Sequence, residues 1–387
     1  MGTGPLEGIT VVDVSTAVAG AWVSSHLAEM GADVVLIEKV GTSDVMRRTG
    51  AIVGDQSGSW VQMHRNKRGM DLDIRNPKGR EILLELVDSA DVFVQNFRPG
   101  VAERLGIGYA DLSAVNAGLV YLSVSGFGPD GPYAHQPVFD PIIQSLSGMA
   151  DVQDGDYVKS AVVDKTAAMT GANAVLGALL ARANGADGQH VEVNLLDSML
   201  SWMWLDIFWN ESVPDAPPTP TYQEWYNPWK TADGWVGAIW VTEAQYTRAC
   251  EALCAPHLVG DPRFATRAAR LQNAVEQRAV FGKLFGELTS AEVIEALQRA
   301  DVPCAPVLRL AEVFDDPQVR HSGTVITHEH PTAGRIRTTR FPARFSETPT
   351  QLERLAPGKG EHTDEVLAEL GRSPADIAML RKDGIVA

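Results

Sequence analysis

The chain has 387 residues, enough for about two domains, because a single domain usually contains roughly 100 to 200 residues. Its hydrophobic content of 45% and charged content of 21% are typical of a globular protein, and its net charge of −16 argues against nucleic acid or an anionic membrane as a partner. No uncharged apolar run reaches the roughly 18 residues of a membrane span and the start has no basic segment, so we predict a cytoplasmic protein.

The first residues alternate between predicted buried strands and a helix. Residues 8–15 are a β-branched run bounded by glycine, residues 21–31 follow an amphipathic helical pattern that ends at glycine, and residues 33–40 form a second apolar run. A strand, a helix and a strand in this order are typical of a parallel sheet with crossover helices. We therefore expect a Rossmann-like α/β fold.

The same alternation continues through the first half of the chain. Residues 77–90 predict a helix that begins with proline, and the apolar runs 91–97 and 118–128 predict buried strands. Residues 189–200 predict a further strand. We assign residues 1–205 to one large domain.

The pattern changes after this domain. Residues 206–225 are polar and rich in proline, so they predict a linker. Residues 226–325 combine a strand hairpin with several helices and predict a smaller α+β domain. Residues 326–387 contain short strands and a capped helix, and we treat them as a separate C-terminal segment.

Two common kinds of cofactor site are disfavoured by the motifs. The turn after the first strand, residues 15–21, lacks the GxGxxG pattern of dinucleotide-binding proteins, although Glu38 ends the second strand where an acid could accept a ribose hydroxyl group. No CxxC occurs, and His328 and His330 share one face of a predicted strand without a third ligand nearby. We predict that the protein holds no metal.

Asp164 stands directly before a helix of small residues, in the segment SAVVDKTAAMTG. Aspartate is among the most favoured helix N-caps, so local sequence favours a capping role. A carboxylate at a helix N-terminus is also kept charged by the helix dipole, which suits a nucleophile. Local sequence leaves both roles open.

Long motifs in chain order resemble the class III CoA transferases, also described as the carnitine dehydratase and bile-acid-inducible protein family. The matching segments include HRNKRGMDLDIRNPKG, GFGPDGPYAHQPVFD and GQHVEV, and together they lie in residues 5–47, 64–109, 121–148, 188–200, 230–236, 303–320 and 360–371. The resemblance implies an interlocked homodimer in which each chain has a Rossmann-like large domain, closed by the C-terminal segment, and a smaller domain. The implied substrates are an acyl-CoA, which brings coenzyme A, and a free carboxylic acid.

The resemblance also implies roles for individual residues. Asp164 matches the family's nucleophilic aspartate. Val18 stands where many transferases have glutamine, and Lys39 stands where arginine is common, so both contacts differ in chemistry here. The residues that the resemblance assigns to coenzyme A are Val18, Ala19, Lys39, Leu72, Ile74, Arg75, Asn96, Phe97, Arg98, Arg104 and Phe139.

Residues 139 and 140 separate transfer from the main alternative on the same scaffold. Similar acyl-CoA racemases use a histidine at the position of Phe139, and phenylalanine cannot carry a proton. Transfer is therefore favoured over racemase, epimerase or dehydratase-type activity, with a nucleotide-binding protein that lacks transfer activity as an alternative from another class. Asp140 either orients an acyl intermediate or only caps a turn.

Two further features concern the substrate. Similar formyl-type and oxalate-type transferases have a glycine-rich loop, whereas residues 234–245 contain no glycine run, so these two acyl groups are disfavoured. Tryptophans crowd residues 202–240, where they either line an apolar acyl pocket or belong to a core or dimer interface. The sequence names neither the acyl group nor the acceptor.

Overall fold

The computed structural model of the protein describes residues 4–219 and 226–387. The chain divides into two compact units. The first comprises Met1–Ile207 with His321–Ala387, and the second comprises Phe208–Arg320.

The strands and helices follow in chain order. The strands are β1 (Thr10–Asp13), β2 (Asp33–Glu38), β3 (Ile52–Val53), β4 (Gln56–Ser57), β5 (Lys67–Asp71), β6 (Val92–Gln95), β7 (Val120–Ser125), β8 (Gln189–Asn194), β9 (Trp229–Lys230), β10 (Trp235–Ala238), β11 (Cys304–Pro306), β12 (Val325–His330) and β13 (Gly334–Thr339). The helices are α1 (Ala19–Glu29), α2 (Gly58–Met63), α3 (Pro77–Asp88), α4 (Val101–Arg104), α5 (Tyr109–Val115), α6 (Asp140–Leu146), α7 (Val162–Ala183), α8 (Leu195–Met203), α9 (Glu243–Ala252), α10 (Arg267–Gln272), α11 (Ala274–Gly286), α12 (Ser290–Arg299), α13 (Pro317–Ser322), α14 (Thr363–Glu369) and α15 (Pro374–Lys382).

Six strands of the first unit form one parallel sheet in the order β5–β2–β1–β6–β7–β8. This is the strand order of doubly wound nucleotide-binding folds, so the predicted parallel α/β sheet is confirmed. The order reverses between β1 and β6. Ligands of such sheets bind beyond the carboxyl ends of the strands at this switch point.

Strand β5 was not predicted, because its sequence KRGMD is mostly charged. All five of its residues are nevertheless buried. Residues from the C-terminal segment cover it: Gly69 N donates to His362 Nδ1 (3.2 Å) and Asp71 N donates to Thr363 Oγ1 (3.1 Å). These partners lie 293 and 292 positions further along the chain. They bury a stretch whose charged sequence would otherwise predict exposure to solvent.

The predicted strand at residues 189–200 is correct only as far as Asn194. The side chain of Asn194 accepts a hydrogen bond from Asp197 N at 2.7 Å and so caps α8, which begins at the next residue. The capping bond satisfies a backbone donor that would otherwise lack a partner. The apolar residues that follow therefore form a helix rather than an extension of β8.

One hydrophobic core of the first unit lies between the sheet and helices α3, α5, α14 and α15. Buried side chains of the strands, such as Phe93 and Tyr121, share this core with Val366, Leu367 and Ile377 from the end of the chain. Burial of such apolar side chains is the main favourable term in folding. Among the described residues, no helix combines the length and apolar character needed to span a bilayer.

The second unit is built on a three-stranded antiparallel sheet in the order β11–β10–β9. Trp229 stacks on Trp240 with ring centroids 5.6 Å apart and on Phe285 at 4.9 Å, inside the unit's buried core. These two tryptophans therefore serve as core residues rather than as walls of an acyl pocket. Residues 208–219 of the predicted linker group with this unit, and residues 220–225 lie outside the described residues.

Candidate active site

The turn between β1 and α1 is held by side chains from neighbouring segments. Asn96 Nδ2 donates to Thr16 O at 2.6 Å, and Asn96 Oδ1 accepts from Thr16 N at 2.9 Å. Asp44 Oδ2 accepts from Ala17 N at 2.9 Å, and Ala17 adopts the left-handed region with φ of 56°. The turn is thus shaped without the glycines of a dinucleotide-binding motif.

Asp44 was missed at the sequence level. Its place in the segment that follows β2, at the end of the polar run Thr42–Asp44, was the available signal, since aspartate often bonds nearby backbone groups in turns. Asn96 was predicted to contact coenzyme A, but both of its polar atoms are committed to the backbone of Thr16. Its role in the described structure is therefore to position the turn.

A buried network ties α1 to the sheet beneath this turn. Lys67 Nζ donates to Ala21 O and Ser24 Oγ, both at 2.8 Å, and lies 3.4 Å from Asp13 Oδ2. Asp13 and Lys67 are both fully buried, and burial lowers the pKa of Lys67 to about 8 while Asp13 opposes that change. Local sequence gave no signal for this network, because Lys67 lies in the charged run HRNKRG.

Two neighbouring cavities open at the switch point of the sheet. The first has a volume of about 400 Å³ and extends from the β1–α1 turn to Asp164. The predicted residues that line it are Val18, Ala19, Asn96, Phe97, Arg98, Phe139 and Asp164. The structure therefore brings together residues that are up to 146 positions apart in the sequence, Val18 and Asp164.

The second cavity has a volume of about 280 Å³ and shares Thr16, Phe97 and Val101 with the first. Four other predicted residues line it: Lys39, Leu72, Ile74 and Arg75. Arg104 lies exposed on α4 and lines neither cavity. Ten of the eleven predicted coenzyme A contacts thus lie at two adjoining cavities, and one lies outside them.

Glu38 does not offer its carboxylate to a ribose. Arg47 donates to both oxygens of Glu38 at 3.0 and 2.6 Å, and Glu38 is only 7% exposed. The Arg47 guanidinium also lies over the ring of Trp60, 3.6 Å from its centroid. An acid at the end of the second strand therefore has a structural partner in place of a dinucleotide.

Asp164 is not the N-cap of α7, so of its two roles the capping role that local sequence favours is not observed. The helix begins at Val162 with Ala161 as its N-cap, and Asp164 lies in the first turn. Asp140 Oδ2 accepts hydrogen bonds from Val163 N at 2.7 Å and Asp164 N at 3.2 Å. Because Asp140 caps the helix from another segment, the carboxylate of Asp164 stays available to the cavity, and no described residue forms a hydrogen bond to it.

Asp140 is itself fixed by a partner on its own helix. Gln144 Nε2 donates to Asp140 Oδ1 at 2.6 Å, and Gln144 Oε1 accepts from Val158 N at 2.9 Å. Asp140 is 6% exposed and lines neither cavity. Of the two roles that the sequence left open for it, the geometry supports the capping role.

The surroundings of Asp164 change its acidity. Burial is the larger cause and the negative charge of Asp140 the smaller, and together they raise the pKa of Asp164 to about 6. The carboxylate is still mostly ionised at neutral pH, yet it is less stabilised than a solvated one. A charged, poorly solvated carboxylate in a cavity is suited to nucleophilic attack on an acyl group.

His135 and His330 lie outside both cavities. His135 is exposed, and Phe139 is 73% exposed at the edge of the first cavity. His330 contacts the backbone, with Nε2 at 3.1 Å from Ala356 O. Within residues 4–219 and 226–387, no group of His, Cys, Asp and Glu is arranged to hold a metal ion.

The sequence matches the family described as CoA-transferase family III over residues 6–363. The chain belongs to this family. An acyl-CoA transferase of Fusarium pseudograminearum is 32% identical over 99% of this chain and 88% of its own length. A formyl-CoA:oxalate CoA-transferase of Bradyrhizobium diazoefficiens is 31% identical over 100% of this chain and 98% of its own length.

Solved structures support the same membership. The structure of a CAIB/BAIF family protein from Brucella suis matches with a TM-score of 0.82 and 28% identity, covering 95% of this chain and 100% of the other. The predicted family and the prediction of an enzyme are confirmed. As a class III CoA-transferase, the chain transfers CoA between an acyl-CoA and an acid, so the alternative of a binding protein without enzymatic activity is set aside.

Proposed function

We propose that this class III CoA-transferase exchanges CoA between two carboxylic acids through covalent intermediates on Asp164. The observation that carries the proposal is the position of Asp164. Among the described residues it is the one carboxylate that lines the first cavity. Its helix is capped by Asp140 rather than by itself, and its pKa is raised to about 6.

The proposed transfer has four balanced steps. The Asp164 carboxylate attacks the carbonyl carbon of the acyl-CoA, which gives a mixed anhydride and CoA thiolate. The thiolate attacks the aspartyl carbonyl, which releases the acid and leaves an aspartyl-CoA thioester. The acceptor carboxylate attacks this thioester, which gives a second anhydride and thiolate. The thiolate then attacks the acceptor carbonyl, so that the new acyl-CoA forms and Asp164 is regenerated.

Coenzyme A is proposed to bind across the two adjoining cavities. The nucleotide end would lie in the second cavity, where Lys39 and Arg75 supply exposed cations and Leu72 and Ile74 supply apolar surface. Cationic side chains are the usual partners of phosphate groups. The thioester would then reach Asp164 through the first cavity, past Phe97, which lines both.

Racemase or epimerase activity is less well supported by the same geometry. Two-base racemisation needs a second proton-carrying side chain opposite the aspartate. Phe139 occupies the position that the resemblance assigns to that base, and His135 does not reach the cavity. Among the described residues that line the first cavity, Asp164 is the one carboxylic acid, and none is a histidine.

The interlocked homodimer also stays a proposal. Helices α6, α7 and α8 pack against one another and leave large apolar side chains exposed. They include Ile142, Leu146, Met169 and Trp202, which are 46% to 58% exposed. Large apolar side chains left exposed on packed helices are typical of a surface that a partner covers, and a second copy of the chain is the partner that the family resemblance implies.

The covalent proposal is tested by trapping the intermediate. The enzyme is mixed with an acyl-CoA without acceptor, quenched in acid and digested, and the peptide that contains Asp164 is weighed by mass spectrometry. We expect an acyl or CoA adduct on Asp164 in the native enzyme and in Asp156→Asn, which removes an exposed aspartate outside the cavities. Asp164→Asn should carry no adduct. Absence of any adduct, together with exchange of the substrate α-hydrogen with solvent, would favour the racemase alternative.

A further inference from the structure

Apolar side chains form a continuous part of the lining of the first cavity, which also contains Asp164. The apolar side chains that line it and that are not assigned to coenzyme A include Val124, Phe127, Val138 and Leu195. Phe127 packs against Tyr133 with ring centroids 5.6 Å apart, so this part of the wall is held in place. An apolar wall of this kind favours a hydrocarbon group that leaves water.

The position of Val138 in the cavity wall requires a glycine at residue 126. A Cβ atom on Gly126 would lie only 2.1 Å from Val138 Cγ1, so the absence of a side chain at this position lets Val138 pack against the backbone of β7's end. Val138 immediately precedes Phe139 at the cavity edge. The close packing positions two successive apolar side chains on the same cavity.

The neutral polar side chains of this cavity are few, and two of them have protein partners. Both amide atoms of Asn96 bond to the backbone of Thr16, and Ser125 Oγ accepts from Gly128 N at 3.0 Å. Gln136 lies at the exposed edge. A second carboxylate on a bound substrate would find only neutral side-chain donors here, the hydroxyl groups of Thr16 and Ser125 and the exposed amide of Gln136, besides the exposed Arg98. Burying a charge without a charged partner is unfavourable.

The charged side chains around the cavity also disfavour a second carboxylate on the substrate. Among the described residues that line it, Asp164 and Arg98 are the charged ones, and Arg98 is exposed. Asp140 adds a second negative charge behind Asp164, close enough to raise the pKa of its carboxyl group. A distal carboxylate would thus be repelled by two acids and attracted by one solvated cation.

We propose that the acyl groups exchanged by this enzyme carry no second carboxylate and are predominantly hydrocarbon, and that dicarboxylic acids are disfavoured as donors and as acceptors. The inference rests on the proposed transfer through Asp164 and adds the substrate class. It separates this chain from the similar formyl-CoA:oxalate transferase, whose acceptor is a dicarboxylate.

The test compares substrates of equal chain length. The acyl chain of butyryl-CoA ends in a methyl group, and that of succinyl-CoA ends in a carboxylate. Each compound is supplied as the donor, with propionate as the acceptor. Product acyl-CoA is measured by liquid chromatography, and kcat/KM is expected to favour butyryl-CoA by about tenfold or more, because the carboxylate lacks a buried partner. An equal or higher kcat/KM for succinyl-CoA overturns the inference.

A variant pair tests the walls directly. Phe139 is 73% exposed, so Phe139→Lys can place a cation at the cavity edge without disturbing the core, and Phe139→Leu keeps the edge apolar. The ratio of kcat/KM for butyryl-CoA to that for succinyl-CoA should fall about tenfold in Phe139→Lys, because a charge-assisted contact becomes available. Phe139→Leu should keep the preference for butyryl-CoA. An unchanged ratio in Phe139→Lys would contradict the inference that the far end of the acyl group binds in this cavity.

Failure of this inference differs from failure of the transfer mechanism. An Asp164 adduct that forms with succinyl-CoA but not with butyryl-CoA overturns the substrate class and leaves the mechanism intact. Absence of both product and adduct with every donor overturns the mechanism, and with it the inference. An adduct with butyryl-CoA and a low yield with succinyl-CoA supports both.

Discussion

At the scale of single residues, Asp140 and Asp164 divide two tasks. Asp140 accepts the backbone hydrogen bonds of the first turn of α7, and Asp164 keeps its carboxylate for the cavity. Local sequence cannot show this division, because the capping carboxylate comes from a residue 24 positions away. The same arrangement that frees Asp164 also raises its pKa.

The charge of Asp140 can be removed while its shape is kept. In Asp140→Asn the side chain still offers an oxygen to α7, but the smaller of the two causes that raise the pKa of Asp164 is lost. Since the ionised carboxylate is the nucleophile, the acidic limb of the pH–rate profile should move to lower pH. The measurement is kcat between about pH 4 and pH 8. A limb at the same pH as in the native enzyme would show that Asp140 exerts no electrostatic effect.

Asp164 is also expected to make stability depend on pH. Its pKa is about 6 in the folded protein against the ordinary 3.8, so the folded state binds the proton more tightly and its stability declines as pH rises from about 4 to 6. A shift of this size corresponds to about 3 kcal/mol, which partial exposure reduces to about 1 to 2 kcal/mol.

Asp164→Asn removes this dependence, since asparagine does not titrate. The variant should be more stable than the native protein by about 1 to 2 kcal/mol at neutral pH, with the difference vanishing below about pH 4. Denaturant unfolding at several pH values measures the free energy of unfolding for both proteins. A difference that stays constant across this range would contradict the raised pKa.

At the scale of elements, the buried pair of Asp13 and Lys67 connects α1 to the sheet next to the β1–α1 turn. In Lys67→Met the buried Asp13 loses its cation, so the free energy of unfolding should fall by about 3 kcal/mol or more. Lys78→Met is the matched control, because Lys78 pairs with Asp383 on the surface, with side chains 60% and 41% exposed. The control should change stability by less than about 0.5 kcal/mol. Equal effects of the two substitutions would mean that the buried network does not support the turn.

The elements also show what the sequence can and cannot predict. The apolar runs that became β1, β2, β6 and β7 were predicted, because buried parallel strands carry a continuous hydrophobic signal. Strand β5 was missed, because its charged side chains are neutralised by partners from distant segments, such as Arg68 Nη2 with Asp33 at 2.6 Å. Tertiary contacts of this kind leave no local pattern.

The residues of the candidate site were also predicted only in part. The resemblance to a family supplied residues that the fold brings to two cavities, with Arg104 as the one that lines neither. It did not supply the hydrogen-bonded roles of Asn96, Asp44 and Gln144, because these depend on which backbone atoms lie opposite them. The motifs therefore identified which residues lie at the site, but they did not identify the atoms to which those residues form hydrogen bonds.

At the scale of the whole molecule, the exposed apolar side chains of α6 to α8 predict a homodimer. Light scattering on the purified protein should give twice the mass of one chain. The double variant Ile142→Glu with Leu146→Glu should lower this mass or prevent assembly, because charges would replace two apolar side chains at the proposed interface. Met379→Glu changes an equally exposed apolar residue on α15 and should stay dimeric. A native protein with the mass of one chain would contradict the dimer.

The central claim is that both half-reactions pass through Asp164, and isotope transfer tests it most directly. When the acceptor acid carries ¹⁸O in its carboxylate, the second anhydride leaves one acceptor oxygen on Asp164 after the thiolate departs with the acyl group. Mass spectrometry of the Asp164 peptide after turnover should therefore show a gain of about 2 Da for each labelled oxygen incorporated. Label that passes from the acceptor to the released acid without ever entering Asp164 would show direct transfer between the substrates and would contradict the account.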